Sequence, residues 1–428
     1  MKLSRIFLSL MAISFAACGS DDTPDPGPGP GPEPPVTTNE RTVLVYMAAD
    51  NNLHNFAEYD LNEMKEGSKA LNDNQNLIVY VDNNNTKTVP CFVRVKDGQF
   101  IDSTTVSESS TANPAVLEEA LRYARTKYPA KSYGLVLWGH STGWLMRNDT
   151  IPYLRSRAYG LDSNNNTSIW MNIPSMARAI KNGMNGEKLA FIHGDCCNFG
   201  TVEVAYELRN VTDYVIGSPA EIPDEGADYS NLSCFFDTSS TFYEKIIDDY
   251  WDFYINEFKT KIYRYYLQDY GDLAGYSVPL MAVKTSELDN LAVATAKLLN
   301  TIPDKLNPTG TLDFSNVIFY AVGNGLKHNY DMYKTLKENT AEADFNEWKP
   351  AFEKAVPYYR LSPRWFVSKS TLTTFIKYML SFDTISSDCH VLSMFFPGTQ
   401  YNNIYPSWNS TIQKLQWNGP ISWQQYGW

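Results

Sequence analysis

Short, fully apolar runs alternate with segments of helical spacing along most of the first half of the chain. Val43-Leu44-Val45-Tyr46-Met47 is a continuous apolar run of strand length, the kind buried on both faces in a parallel sheet. Residues 53–70 follow with apolar positions at helical spacing (Leu53, Phe56, Leu61, Met64), and Leu77 to Val81 reads as a second buried strand. Cys91 to Val95 and Gln99 to Thr104 alternate around Lys96-Asp97-Gly98, which predicts a hairpin. A helix over Pro114 to Tyr128, capped by Asn113, precedes a buried strand at Tyr133 to Trp138. Residues 141–168 are polar, contain Asn164-Asn165-Asn166, and read as a long loop. A helix at Ile173 to Asn182, a strand at Leu189 to His193, a helix at Gly200 to Arg209 and a strand at Tyr214 to Gly217 complete the series. Strands alternating with helices predict an α/β fold, a mostly parallel sheet with helices on both faces. Beyond about residue 235 the pattern weakens. Phe242 to Tyr266 and Thr285 to Leu299 read as helical, Val391 to Phe396 as a strand, and Trp408 to Trp428 is rich in Trp and Tyr.

The N-terminus carries a different signal. Lys2 and Arg5 form a short basic region before an apolar stretch, Ile6 to Phe15, too short to span a bilayer stably. The stretch ends in Phe15-Ala16-Ala17-Cys18, which looks like a bacterial lipobox with Cys18 as the acylated first residue of the mature chain; an ordinary signal peptide with an incidental cysteine is the other reading. Gly19-Ser20-Asp21-Asp22 resembles the acidic tetrapeptide that sends lipoproteins of Bacteroidetes to the cell surface, so an exposed outer-membrane lipoprotein is expected. From Thr23 to Thr38 the chain is dominated by Pro and Gly, and residues 18–40 read as a semi-extended tether. The expected organisation is a signal peptide (1–17), the tether (18–40), a catalytic core (41–235) and a C-terminal α+β part (236–428) to which no role is assigned.

Composition narrows the functional classes. The 428 residues are 43% hydrophobic and 14% aromatic, enough to bury a large core, and the formal net charge is −12. That balance argues against nucleic-acid binding, since no basic patch is available to neutralise phosphates. Cys91, Cys196, Cys197, Cys234 and Cys389 are irregularly spaced, which argues against a disulfide scaffold; without CxxC pairs or clustered histidines, a zinc site is not expected either. No cofactor is expected, and calcium is not indicated.

In an open parallel sheet, ligands bind beyond the carboxyl ends of the strands. Two such ends carry reactive groups here: Trp138-Gly139-His140-Ser141, and His193-Gly194-Asp195-Cys196-Cys197. If the two strands are neighbours, His140 and a thiol meet. An imidazole that takes a thiol proton produces a nucleophile for acyl carbon, and backbone N–H groups in Gly139 to Thr142, with Gly139 and Ser141 the candidates, would form the oxyanion hole. The helix starting near Gly200 would add a positive N-terminus. Spacing alone leaves other readings open: an inert buried thiol, a structural histidine, or a vicinal disulfide between Cys196 and Cys197.

Several segments together resemble the clostripain-type cysteine peptidases of the caspase-like clan. Val45 to Leu53 (Val-Tyr-Met-Ala-Ala-Asp-Asn-Asn-Leu) is similar to their opening strand and loop, and Leu135-Val136-Leu137-Trp138-Gly139-His140 to their histidine strand, which usually continues with Gly where this chain has Ser141. Asp195 to Glu207 resembles their nucleophile segment, commonly Asp-Ala-Cys-Leu-Met before a helix with a Glu. Aligned on Asp195 and Glu203, the nucleophile falls on Cys197 and the usual Ala on Cys196. The chain departs from the pattern in having Gly194 for a Phe and Asn198-Phe199 for Leu-Met.

The resemblance implies a caspase-like α/β fold, a Cys197–His140 dyad, and cleavage of protein or peptide substrates after Arg or Lys. In that family the Asp two residues before the nucleophile lines the pocket for the basic side chain; here it is Asp195, which as a turn residue would instead bond its own backbone. Asp224 or Glu225 is a candidate second acid. Relatives are often activated by a cut between histidine and cysteine, and residues 141–168 offer Arg147, Arg155 and Arg157, although an ordinary surface loop has the same composition. The competing class is a non-catalytic surface lipoprotein, a binding or adhesion module on the same fold.

Overall fold

The computed structural model describes residues 39–83, 89–107, 110–146, 159–162, 169–257, 276–323, 325–362, 364–370, 375–381, 388–404 and 407–428. Cys18, the tether, and Arg147, Arg155 and Arg157 lie outside the described residues.

Every buried run expected from the sequence in the first half forms a strand. These are β1 (Arg41–Ala49), β2 (Gln75–Asn83), β3 (Cys91–Lys96), β4 (Gln99–Thr105), β5 (Ser132–Trp138), β8 (Leu189–Asp195) and β9 (Thr212–Gly217). Asp97 and Gly98 both take positive φ (49° and 79°) between β3 and β4, as a tight two-residue hairpin requires. The intervening helices are α1 (His54–Ser68), α2 (Pro114–Lys127), α3 (Ile173–Gly183) and α4 (Val202–Leu208). The Asn113 side chain caps α2 by accepting from the Ala115 N–H at 3.0 Å.

The sheet has nine strands in the order β13-β10-β9-β8-β5-β1-β2-β3-β4, where β10 is Leu280–Lys284 and β13 is Tyr358–Arg360. The central five pair in parallel, and antiparallel strands finish both edges. Chain beyond residue 235 therefore completes the same sheet. Both faces are covered: Leu44, Tyr46 and Ala48 enter one apolar cluster, Val43, Val45, Met47 and Ala49 the other. This period-two split into two buried faces is why β1 reads as an unbroken apolar run. Helix α1, with α5 (Ser233–Phe236) and α6 (Phe242–Asp252), covers one face; α2, α3 and α4 cover the other.

The parallel strands run in the order 2-1-5-8-9. Connections from β1 leave to one side and those from β5 to the other, so a crevice opens at their carboxyl ends.

Three expectations need correction. Residues 141–168 are not all loop: Tyr159–Asp162 forms β6, paired with β7 (Ile169–Met171). Four residues among polar neighbours are too short to show a period, and Tyr159 is held by tertiary contacts described below. The helix expected over 242–266 runs regularly only to Asp252 and continues as a π-helical turn, Phe253–Glu257; 258–275 lie outside the described residues. The strand expected at 391–396 reduces to Ser393–Met394. Val391 takes a φ of +67°, costly for a β-branched residue, while Asp331 Oδ2 accepts from the His390 and Val391 N–H groups at 2.8 and 3.1 Å. A buried carboxylate sets that backbone, and no local pattern announces it.

Candidate active site

Strands β5 and β8 are neighbours in register, with Trp138 opposite Asp195. The residues that follow them, His140 and Cys197, line one pocket together with Leu53, Asp195, Ile222 and Asp224. The Gly139 N–H donates to the Asp195 carbonyl (3.3 Å), carrying the ladder one residue beyond the strand ends. That bond engages the Gly139 hydrogen; of the two residues expected in an oxyanion hole, Ser141 is the one whose N–H is not so used. Ser141 Oγ accepts from the Gly143 N–H at 3.0 Å.

The histidine loop and the cysteine loop touch. Gly143, at φ +67°, approaches Asn198 so closely that a Cβ there would lie 2.3 Å from the Asn198 carbonyl oxygen, so no other residue fits without movement. Asn198 itself takes φ +59°, and its N–H donates to the Ala220 carbonyl at 2.8 Å. The turn swings Cys197 toward the pocket, where the Ile222 N–H approaches Sγ at 3.4 Å.

The adjacent thiols differ sharply in surroundings. Cys196 is fully buried among the apolar residues on one sheet face, and burial, then Cys197 and Asp195, pushes its thiol well above the usual range despite a contact with Ser141. A thiol that stays protonated in a dry core cannot attack a carbonyl. Cys197 is half-buried and faces the pocket.

Two departures from the family pattern meet in the fold. A side chain at position 194 would place its Cβ 2.3 Å from the ring of Phe199. The ring at 199 thus fills the space above Gly194, so the residues at the two positions depend on each other.

The acid side of the pocket is built from three elements. Asp195 is buried; its Oδ2 accepts from Tyr229 Oη–H (2.7 Å) and the Ala227 N–H (3.1 Å), and its Oδ1 from Tyr250 Oη–H (3.1 Å). Burial pushes this carboxyl above its ordinary range, and the three donors pull it back. The turn reading, in which Asp195 bonds its own backbone, is not what these contacts show. Asp224 lines the same pocket, whereas Glu225 is buried beside it. Below lies Asp60 on α1, accepting from Trp138 Nε1–H at 2.6 Å; burial, reinforced by Asp195, drives it well above the carboxylate range, toward the neutral form.

Sequence reasoning missed Asp60, Tyr229, Tyr250 and Tyr159. Asp60 left a signal, since it falls on the buried stripe Ala57, Asp60, Met64, Gly67 of α1, where a lone charge is costly. Tyr159 hydroxyl donates toward the carbonyls of Tyr46 and Trp138, both at 3.0 Å, tying β1 to β5 where the crevice opens. Nothing local in the sequence marks it.

The C-terminal part braces the cysteine loop from behind. Glu203 Oε1 accepts from the Phe395 N–H at 2.7 Å, the Ser393 N–H donates to the Gly200 carbonyl at 3.2 Å, and Asn329 Nδ2 donates to the Pro219 carbonyl at 3.0 Å. Helix α4 begins only at Val202, capped by Thr201, and is seven residues long. Its dipole is too short and too far along the chain to carry the expectation of a positive helix end at the thiol. Among the described residues, no group of three or more His, Cys, Asp or Glu side chains is placed to hold a metal ion.

A model of the clostripain family (Peptidase_C11) matches residues 45–426. Over 193 residues the chain is 28% identical to clostripain of Hathewaya histolytica, a stretch that covers 39% of this chain and 36% of that protein. A secreted C11 cysteine protease from Bacteroides thetaiotaomicron, solved with an irreversible peptide inhibitor, is similar across 90% of this chain and 100% of its own, at 28% identity and a TM-score of 0.71. An inactive zymogen C11 protease from Parabacteroides distasonis is similar across 90% of this chain and 99% of its own, at 25% identity and a TM-score of 0.65.

Proposed function

We propose that this chain, which belongs to the clostripain family and is a cysteine peptidase, cleaves peptide bonds after Arg or Lys through a Cys197–His140 dyad. The observation that carries the reading is one pocket lined at once by His140, Cys197, Asp195 and Asp224. His140 takes the Sγ proton, and the thiolate adds to the scissile carbonyl carbon. As the tetrahedral adduct collapses, the imidazolium returns the proton to the leaving amine and a thioester remains. Water, deprotonated by His140, then attacks the thioester and frees Cys197. The Ser141 N–H is the proposed oxyanion donor. Asp195, held in place by two tyrosines, receives the guanidinium or ammonium group, with Asp224 at the rim; a neutral side chain would leave a buried carboxylate unpaired.

Cys197→Ala should abolish hydrolysis of Arg and Lys peptides while Cys196→Ala keeps most of it, and His140→Ala should cost on the order of a thousandfold in kcat. Equal activity in Cys197→Ala and wild type would refute the dyad, and a peptide library showing preference for acidic or apolar residues would refute the pocket. We also propose lipid attachment at Cys18 and self-cleavage after Arg147, Arg155 or Arg157. The first is supported by the residues Phe15 to Cys18; the second by the description of the Parabacteroides relative as a zymogen. Intact mass of wild type beside Cys197→Ala tests both: a lipid-sized increment on each, and a cut in wild type alone.

A further inference from the structure

The loop after β1 carries two adjacent asparagines with unlike surroundings. Asn51 is buried; its Nδ2 donates to the carbonyls of Ala48 (2.9 Å) and Leu161 (2.8 Å), and its Oδ1 accepts from the Leu53 N–H (2.8 Å). Three bonds from one amide fix the course of the loop and tie it to β6. Asn52 is exposed, yet its Oδ1 lies 2.9 Å from His140 Nε2. An amide oxygen only accepts, so the ring hydrogen in this contact sits on Nε2, and Nδ1 is left as the proton acceptor of the imidazole.

We propose that Asn52 is a positioning residue, the third member of the site, holding His140 in the Nε2–H tautomer so that Nδ1 serves Cys197. The proposal rests on the dyad reading. Asn51 aims it, through bonds that depend on the fold; Asn52 makes the contact with the ring. A free imidazole distributes its hydrogen between two nitrogens and turns about its side-chain torsions, and either freedom removes the base from reach of the thiol part of the time. The contact adds no charge. It acts on orientation and tautomer, and becomes a stronger donor–acceptor pair once the ring is protonated, since both imidazolium nitrogens donate.

Because Asn52 is exposed, its replacement should leave the melting temperature nearly unchanged. Asn52→Ala should lower kcat about ten- to a hundredfold with KM changed less than about threefold. Asn52→Asp restores the acceptor and should recover most of kcat. Its added charge should move the titration of His140 to higher pH; Cys197, Asp195 and Asp224 line the same pocket and feel that charge too. Nitrogen NMR of histidine-labelled Cys197→Ala protein reads the tautomer directly: one protonated nitrogen, Nε2, with Asn52 present, and a mixture with Asn52→Ala. Unchanged kcat and an unchanged tautomer in Asn52→Ala would overturn the proposal. A His140→Ala variant assayed in parallel separates the two levels: if it remains active, the dyad reading has failed, whereas if it is dead and Asn52→Ala is normal, only the role of Asn52 has failed.

Discussion

Two buried carboxyl groups flank Cys197 in sequence and serve opposite ends. Asp195, on the pocket side, keeps three donors on its two oxygens, two of them tyrosine hydroxyls from the far side of the pocket. Glu203, on the back side, takes its cross-chain donor from the Phe395 N–H, and Thr201 and its own N–H are the other groups that lower its carboxyl. Burial raises both, and Glu203 reaches about 7. In both, burial outweighs the donors, and at Asp195 the carboxyl lines the pocket that Cys197 also lines. Glu203 lies instead behind the Cys197 loop, where its carboxyl ties the C-terminal part to α4. The same chemical group thus faces the pocket or braces the loop behind it according to where the fold places its partners.

The largest effect should come from removing the charge on the pocket side. Asp195→Asn keeps the shape and loses the ion, so kcat/KM on Arg and Lys peptides should fall about ten- to a hundredfold, with a much smaller change on neutral peptides. A uniform loss across all peptides would mean that Asp195 is structural, like Glu203, and the contrast would collapse.

The back side is sharpened by pH. Glu203 has an ordinary value of 4.5 and a folded value of about 7, so the folded state holds the proton more tightly. The stability it contributes is complete below about 4.5 and is lost as pH rises through about 7. Glu203→Gln keeps the acceptor for Phe395 and removes the titration. Urea unfolding at pH 5 and pH 8 should show wild type losing on the order of 2 kcal/mol that the variant does not lose. Parallel pH curves for the two proteins would contradict this account.

The smallest effect tests the donors on Asp195. Tyr250→Phe deletes the donor on Oδ1, worth about 1 kcal/mol, and should cost a few-fold in kcat/KM on basic peptides at neutral pH. Burial already pushes Asp195 up and this donor opposes it, so its loss should move the acid limb of the profile to higher pH. A limb that stays in place would show that Tyr229 and Ala227 suffice.

The contact between positions 194 and 199 joins residues that look independent along the chain. In the sequence, Gly194 and Phe199 stand as two separate departures from the family pattern. In the fold, the ring of Phe199 lies where a side chain at 194 would go, so the two departures depend on each other. The vicinal thiols teach the same lesson, since adjacency alone leaves nucleophile, inert core and disulfide open. Burial of Cys196 and the turn at Asn198 separate them.

By itself the sequence determined the strands of the main sheet and the helices between them in the first half, because each parallel strand is buried on both faces and must be apolar throughout, and each helix repeats its own period. It also determined where the reactive groups stand, since His140 and Cys197 follow two such strands directly. Only the tertiary structure decided that those strands are neighbours, that Tyr159 pins β1 to β5, that Asp60, Tyr229 and Tyr250 gather around Asp195, and that residues beyond 300 brace the Cys197 loop from behind. The physical reason is distance along the chain. Periodicity records what a residue does within its own element, whereas a hydrogen bond between residues 192 positions apart, as between Glu203 and Phe395, leaves no mark on the neighbours of either.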